Sequence, residues 1–165
     1  MTSKREQLVP IAQLIDSHHD WWRFPTQEPV QGFMGTGPVI IVGDQPSTSS
    51  WEESHPNRRV FYGLLPTIDA ANAHLTDLYK RRGPAGELKR GLPPDFQEHL
   101  AIFQQELAIL QPHRVIALGR FAFELLNTHV PQVTPMLAWM WHFSYVGRYG
   151  KEQQYEANAR KALGA

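Results

Sequence analysis

The sequence predicts an α/β fold: a single three-layer α/β/α domain around a central, mainly parallel four-stranded sheet. Two observations carry this. Short β-branched runs that end on glycine, Gly37–Gly43 and Arg114–Gly119, have the composition of strands buried on both faces. Amphipathic segments separate these runs, and strands alternating with helices imply parallel crossovers. The whole chain, 1–165, reads as one domain, with 1–36 an N-terminal lead-in packed on it.

The elements follow in order. Leu8, Ile11, Leu14 and Ile15 have helical spacing, and Trp21-Trp22-Arg23-Phe24-Pro25 ends that pattern at a proline. The expectation for Trp21-Trp22 is that it caps the sheet. After the first strand comes Asp44-Gln45-Pro46-Ser47, then a polar loop to His55. A short helix is expected over 57–65, stopped by Pro66, and a strand over 74–79. Residues 80–94 hold six glycines and prolines, Gly83, Pro84, Gly86, Gly91, Pro93 and Pro94, and read as a loop. From 95 to 110 a helix puts Phe96, Leu100, Phe103, Leu107 and Leu110 on one face, and Pro112 ends it. The third strand, 114–119, leads to a helix over 121–127. The fourth, 136–141, ends at His142, and a terminal helix spans 152–163.

Composition excludes several classes. Hydrophobic residues make up 42% of 165, too many for a disordered chain. No run of about 18 apolar residues exists, so no membrane span is expected. The first residues lead into no apolar h-region, so no secretory leader is expected and a cytoplasmic location is. With no cysteine, disulfides, thiol catalysis, zinc–thiolate sites and iron–sulfur clusters are excluded together. No metal, cofactor or protein partner is implied. Net charge is zero, with 16 basic and 16 acidic residues, which argues against a protein that coats nucleic acid electrostatically. That total hides a local charge of +4 in residues 80–90, five basic residues against Glu87.

Ligands in parallel sheets sit at the carboxyl ends of strands. Those ends carry Asp44 and Gln45, then Asp77 with Lys80-Arg81-Arg82, then Gly119-Arg120, then His142-Phe143-Ser144-Tyr145. Phe61 lies on the helix after the first loop. Each has a plainer reading. Asp44 can cap a turn, Asp77 can pair with Lys80 or Arg81, His142 can be a packed histidine, Phe61 can be core, and the basic run can be a solvated face. Their shared position at one sheet edge favours a site.

The pattern resembles the uracil-DNA glycosylase superfamily. Gly43-Asp44-Gln45-Pro46-Ser47 looks like its first motif, and His142-Phe143-Ser144-Tyr145 looks like its second, His-Pro-Ser. His55 through Tyr62 is similar to the His-Pro-x-Asn-Arg-Phe-Trp stretch of the mismatch-specific uracil/thymine branch. Leu75-Thr76-Asp77-Leu78 matches its Val-Thr-x-Leu strand, and Leu110 to Arg120 its helix–Pro–strand–Leu-Gly segment. Two departures stand out: Phe143 replaces the proline of the second motif, and the first-motif carboxylate stands second, as in branches reading Gly-Glu-Gln-Pro-Gly.

The resemblance implies a monofunctional DNA glycosylase. Such an enzyme flips a pyrimidine out of DNA and hydrolyses its N-glycosidic bond, leaving an abasic site. Asp44, with Gln45 beside it, would stabilise the oxocarbenium-like sugar and orient water, and His142 would donate to O2 of the departing base. Phe61 would stack on the base. Ser47, Ser144, Lys80, Arg81, Arg82 and Arg148 would hold the DNA backbone, and Tyr145 or Tyr149 would wedge into the vacated stack. Uracil-specific members place Asn where Asp77 stands. An ionised Asp only accepts, so it repels O4 of uracil and welcomes the 4-amino group of cytosine; protonated, it also donates to N3. The expected target is therefore a modified cytosine, as in antiviral defence. The alternatives are a uracil repair glycosylase, a non-catalytic DNA-binding module on the same fold, and a flavodoxin-like nucleotide binder. The last is disfavoured because Asp44 repels phosphate and Pro46 lacks an N–H.

Overall fold

The computed structural model describes residues 1–164. It is an α/β fold with a four-stranded, all-parallel sheet flanked by helices on both faces. The elements are α1 (Lys4–Asp16), β1 (Val39–Gly43), α2 (Pro56–Thr67), β2 (His74–Asp77), α3 (Phe96–Leu110), β3 (Arg114–Leu118), α4 (Arg120–His129), β4 (Leu137–Met140), α5 (Phe143–Arg148) and α6 (Glu152–Leu163). The strand order is β2-β1-β3-β4. The chain runs leftward from β1 to β2 and then crosses over β1 to β3. The order therefore reverses between β1 and β3, and that is where such sheets open a crevice at their carboxyl ends.

Strand alternation builds the layers. Ile40, Val42, Val115 and Ala117 point to one face, where they meet Leu8, Ile11 and Ile15 of α1, Phe96 and Phe103 of α3, and Leu125 and Leu126 of α4. Ile41, Leu75, Ile116, Leu118 and Met140 point to the other, under Phe61 and Leu65 of α2, Val146 of α5, and Tyr155 and Ala159 of α6. The lead-in is thus part of the core. On α1 the buried set is Leu8, Ile11, Ala12 and Ile15, while Leu14 faces solvent, because 8, 11, 12 and 15 form the 3.6-residue stripe.

One expectation is corrected, and one helix is added to those expected. Pro66 does not stop α2; it sits in the last turn, which continues to Thr67. The residues after His142 are a helix, α5, capped by His142 itself, whose side chain accepts from the Ser144 amide. No helix among the described residues is long and apolar enough to cross a membrane.

A cavity at the carboxyl edge of the sheet

All four strand ends open on one cavity of about 440 Å³. Asp44 and Gln45 follow β1, Asp77 ends β2, Gly119 and Arg120 follow β3, and His142 follows β4; all line it. Ser47, Arg82 and Arg148 line it too. Strand-end reasoning therefore places the polar residues of the site together.

His142 is oriented by its own helix. The Ser144 amide donates to Nδ1 at 3.1 Å, and the Ser144 hydroxyl lies 2.8 Å from the same nitrogen. An amide N–H only donates, so Nδ1 is the unprotonated nitrogen and the hydroxyl also donates to it. The ring proton is then on Nε2. Burial pushes the imidazole down to about 4, so His142 is a neutral Nε2–H donor at neutral pH. This corrects the expected role of Ser144. Its hydroxyl proton is committed to His142, so it positions the imidazole and has no donor left for a phosphate.

Asp77 is 5% exposed, and its Oδ2 has no hydrogen-bond partner. It lies beside Gly43 in the β1–β2 register, and a Cβ at residue 43 would come within 2.5 Å of Asp77 Oδ1. Glycine at the end of β1 is what lets this carboxyl sit there. Burial raises Asp77 to about 8; Lys80 opposes the rise, and the carboxylates of Asp44 and Glu106 add to it. Asp77 is therefore a neutral acid at pH 7, with one O–H donor and one acceptor, rather than the acceptor-only anion. Asp44 is also raised by burial, opposed by hydrogen bonds from its own and the Gln45 amide and by the charge of Lys89.

Three other expected roles are corrected. Phe61 is fully buried and does not line the cavity. It shares an α2 stripe with Leu64, Leu65 and Ile68, the i, i+3, i+4, i+7 set that faces the sheet. Lys80 is 1% exposed and cannot reach DNA. Its Nζ pairs with Glu106 Oε2 at 2.7 Å and donates to Thr76 Oγ1 at 2.8 Å and to the Asp77 carbonyl. Glu106 also holds His74 Nε2 at 2.7 Å. Arg81 is bound to Asp95 and to Asp20, and it donates to Tyr79 Oη. So neither cation forms a side-chain pair with Asp77. Tyr145 is exposed on α5 against Trp141 and Tyr149, beside the cavity rather than in its lining, where a residue that wedges into a base stack would stand.

Gln45 also braces the loop: its Nε2 donates to the Arg81 carbonyl at 3.2 Å and reaches Glu87 at 3.4 Å, which holds the basic segment beside β1. Ser47 Oγ is 2.8 Å from Ser49 Oγ.

The aromatic walls come from elsewhere. Trp22 and Phe24 of the lead-in, Trp51 of the loop and Phe143 of α5 line the cavity, with Trp51 and Phe143 centroids 5.5 Å apart. The lead-in is brought there by main-chain bonds, Trp22 N–H to the Lys80 carbonyl at 2.9 Å and Arg82 N–H to the Asp20 carbonyl at 2.8 Å. Trp21, by contrast, stacks on His18 and packs against His99. The sequence signal was the aromatic run Trp21–Phe24, which breaks helical spacing just before a proline. Lys89 and Arg120 also line the cavity and were missed as contacts.

Among the described residues no group of three His, Asp or Glu could hold a metal ion. No protein-family model matches this chain, and no curated protein matches it either.

Proposed function

We propose that the protein is a monofunctional DNA glycosylase acting on a flipped pyrimidine. The observation that carries this reading is one cavity lined by a carboxylic acid that follows β1, Asp44, and by a neutral imidazole with its proton on Nε2, His142. In the reaction, ionised Asp44 faces the sugar as the glycosidic bond lengthens. It stabilises the positive charge on the ring and orients the attacking water. His142 Nε2–H donates to O2 of the departing base, where negative charge collects. Ser144 keeps that donor aimed. Arg82, Arg120, Arg148 and Lys89 line the cavity, and their charge favours the phosphate backbone. Trp22, Phe24, Trp51 and Phe143 supply the apolar walls that an extruded base needs.

Asp77 is the reader of the base edge in this account. Its acceptor oxygen suits a 4-amino group in either protonation state, and its O–H, when present, suits N3. A 4-oxo base fits only while the proton is there, donating to O4. We therefore favour a cytosine carrying a 5-substituent, since removal of ordinary cytosine would ruin the host's own DNA. A cavity of this volume lies in the range that encloses drug-sized ligands, which leaves room beyond a pyrimidine ring. Such a glycosylase would act against phage DNA. The neutral state of Asp77 favours one second reading, uracil repair, because the same O–H can serve uracil.

The test is abasic-site formation. The protein is incubated with phage DNA carrying 5-substituted cytosines, with a uracil-containing duplex and with an unmodified duplex. Alkali then cleaves at abasic sites, and the released base is identified by mass spectrometry. Release of the modified cytosine is expected. Release of uracil alone would establish the repair reading. No release from any substrate would leave a binding module.

A further inference from the structure

Arg58 is 7% exposed yet has no carboxylate paired with it among the described residues. Its Nε–H donates to Gln27 Oε1 and an Nη1–H to the Trp51 carbonyl, both at 2.8 Å; both partners are neutral. Arginine cannot shed its proton, and a buried charge without a counter-charge is costly. The guanidinium also lies 5.4 and 5.7 Å from the Tyr62 and Trp51 ring centroids, contacts that bring no full negative charge, and the side chain lines a second, open pocket of about 590 Å³. This cavity adjoins the first and shares Trp22, Trp51 and Arg82 with it. Among the described residues Arg82 has no carboxylate partner either. Its Nη1 donates to the carbonyls of Ser47 and Ser49 at 3.1 and 3.0 Å, and its guanidinium lies 5.6 Å from the Trp22 ring centroid. Thr48 and Ser50 add hydroxyls to the lining. The one acid there, Glu52, is exposed on the rim and accepts from Ser50 Oγ at 3.2 Å, so solvent screens it.

We propose that the second cavity is a phosphate subsite, in which Arg58 and Arg82 clasp a backbone phosphate of the DNA strand beside the nucleotide whose base enters the first cavity. This rests on the DNA reading above. Two guanidiniums lining one pocket suit a phosphate, because each offers a planar fork of N–H donors. The indole of Trp22, shared by both cavities, then lies between the flipped nucleotide and its neighbour. The subsite gives the strand a fixed register at the point where the base leaves the stack.

The experiment is a methylphosphonate scan with the full-length protein. An oligonucleotide bearing a stable tetrahydrofuran abasic analogue is made with one neutral linkage at each flanking position in turn, and affinity is measured. One flanking linkage is expected to weaken binding by roughly tenfold, the scale of a charge-assisted hydrogen bond. In Arg82→Gln, which alters a half-exposed side chain, the same linkage is expected to cost little. Arg58→Gln should behave likewise where it folds. The dependence of log affinity on log salt should also flatten by roughly 0.7 to 0.9 in Arg82→Gln. A scan in which both variants keep the full tenfold loss would overturn the proposal. So would a flat scan in which a free mononucleotide competes for the site. Because the scan needs no base release, binding without excision would sink the glycosylase reading and leave the subsite standing. Excision with a flat scan would do the reverse.

Discussion

The ends of β2 and β4 face the same cavity, and each holds one titratable group neutral by burial, but they do so by different means. At β4 the means are local. His142 caps α5, and Ser144, two residues on, fixes its tautomer through amide and hydroxyl. At β2 the means are remote. Asp77 is surrounded by Lys80, whose charge is neutralised by Glu106 from α3, while Glu106 also holds His74. The difference has a thermodynamic consequence, because keeping an acid neutral and keeping a base neutral have opposite pH linkage.

The sharpest way to break the comparison is at its remote side. Glu106→Ala leaves Lys80 buried without its counter-charge. Removing one partner of such a pair costs about 3–5 kcal/mol. Chemical denaturation should show that loss, and the double change Lys80→Met, Glu106→Leu should recover most of it. The local side should respond in activity. In the proposed reaction His142→Ala removes one donor to the departing base, and excision should fall by roughly 10² to 10³ in single-turnover assays. Its stability at pH 5 should fall less than that of Glu106→Ala.

The pH dependence joins the two sides. His142 and His99, both lowered to about 4 by burial, take up protons in the unfolded chain first. Each therefore adds stability as pH rises from about 4 to 6.5. Asp77, raised to about 8, keeps its proton in the folded state while the unfolded chain loses it. It therefore removes stability as pH rises from about 4 to 8. The two histidine gains end near pH 6.5 while the Asp77 loss runs on to about 8, so the maximum lies near or below pH 6.5 with a decline above it; Asp44, raised in the same direction as Asp77, adds to the loss. Thermal melts across pH 4.5–8.5 should trace this dome. Asp77→Asn should remove most of the decline above pH 6.5, and a decline that persists there in full would contradict the assignment of Asp77 as the buried acid. The smallest effect is expected for Ser144→Ala. It removes one of two bonds to Nδ1, worth about 1 kcal/mol, so excision should fall about fivefold with KM little changed.

The same contrast explains what could be read in advance. β1 and β3 were legible because a buried parallel strand needs β-branched residues on both faces, and Val39–Val42 and Val115–Leu118 supply them. His142 was legible because it stands at a strand end. Lys80 was not. Its charge signalled solvent, and the partner that draws it inward, Glu106, lies on a helix whose apolar face gave no warning of a buried acid. For Phe61 the two signals conflict: the family resemblance sets it over the base, whereas helix spacing with Leu64 and Leu65 sets it in the core, and packing follows the spacing. α5 escaped notice because it is one and a half turns long and holds Val146 and Gly147, both weak helix formers. The walls formed by Trp22 and Phe24 depend on how the lead-in docks on residues 80–82, which no local spacing encodes.

The central claim is that this cavity performs hydrolysis rather than binding alone. Asp44→Asn keeps the size and shape of the side chain and removes the charge that stabilises the sugar cation. The decisive measurement is single-turnover release of free base by the wild type and by Asp44→Asn, with affinity for the same oligonucleotide measured in parallel. The account predicts release by the wild type, a loss of roughly 10² to 10⁴ in the variant, and affinity within a few-fold of the wild type. Equal release by the two proteins, or DNA binding with no release by either, would contradict it.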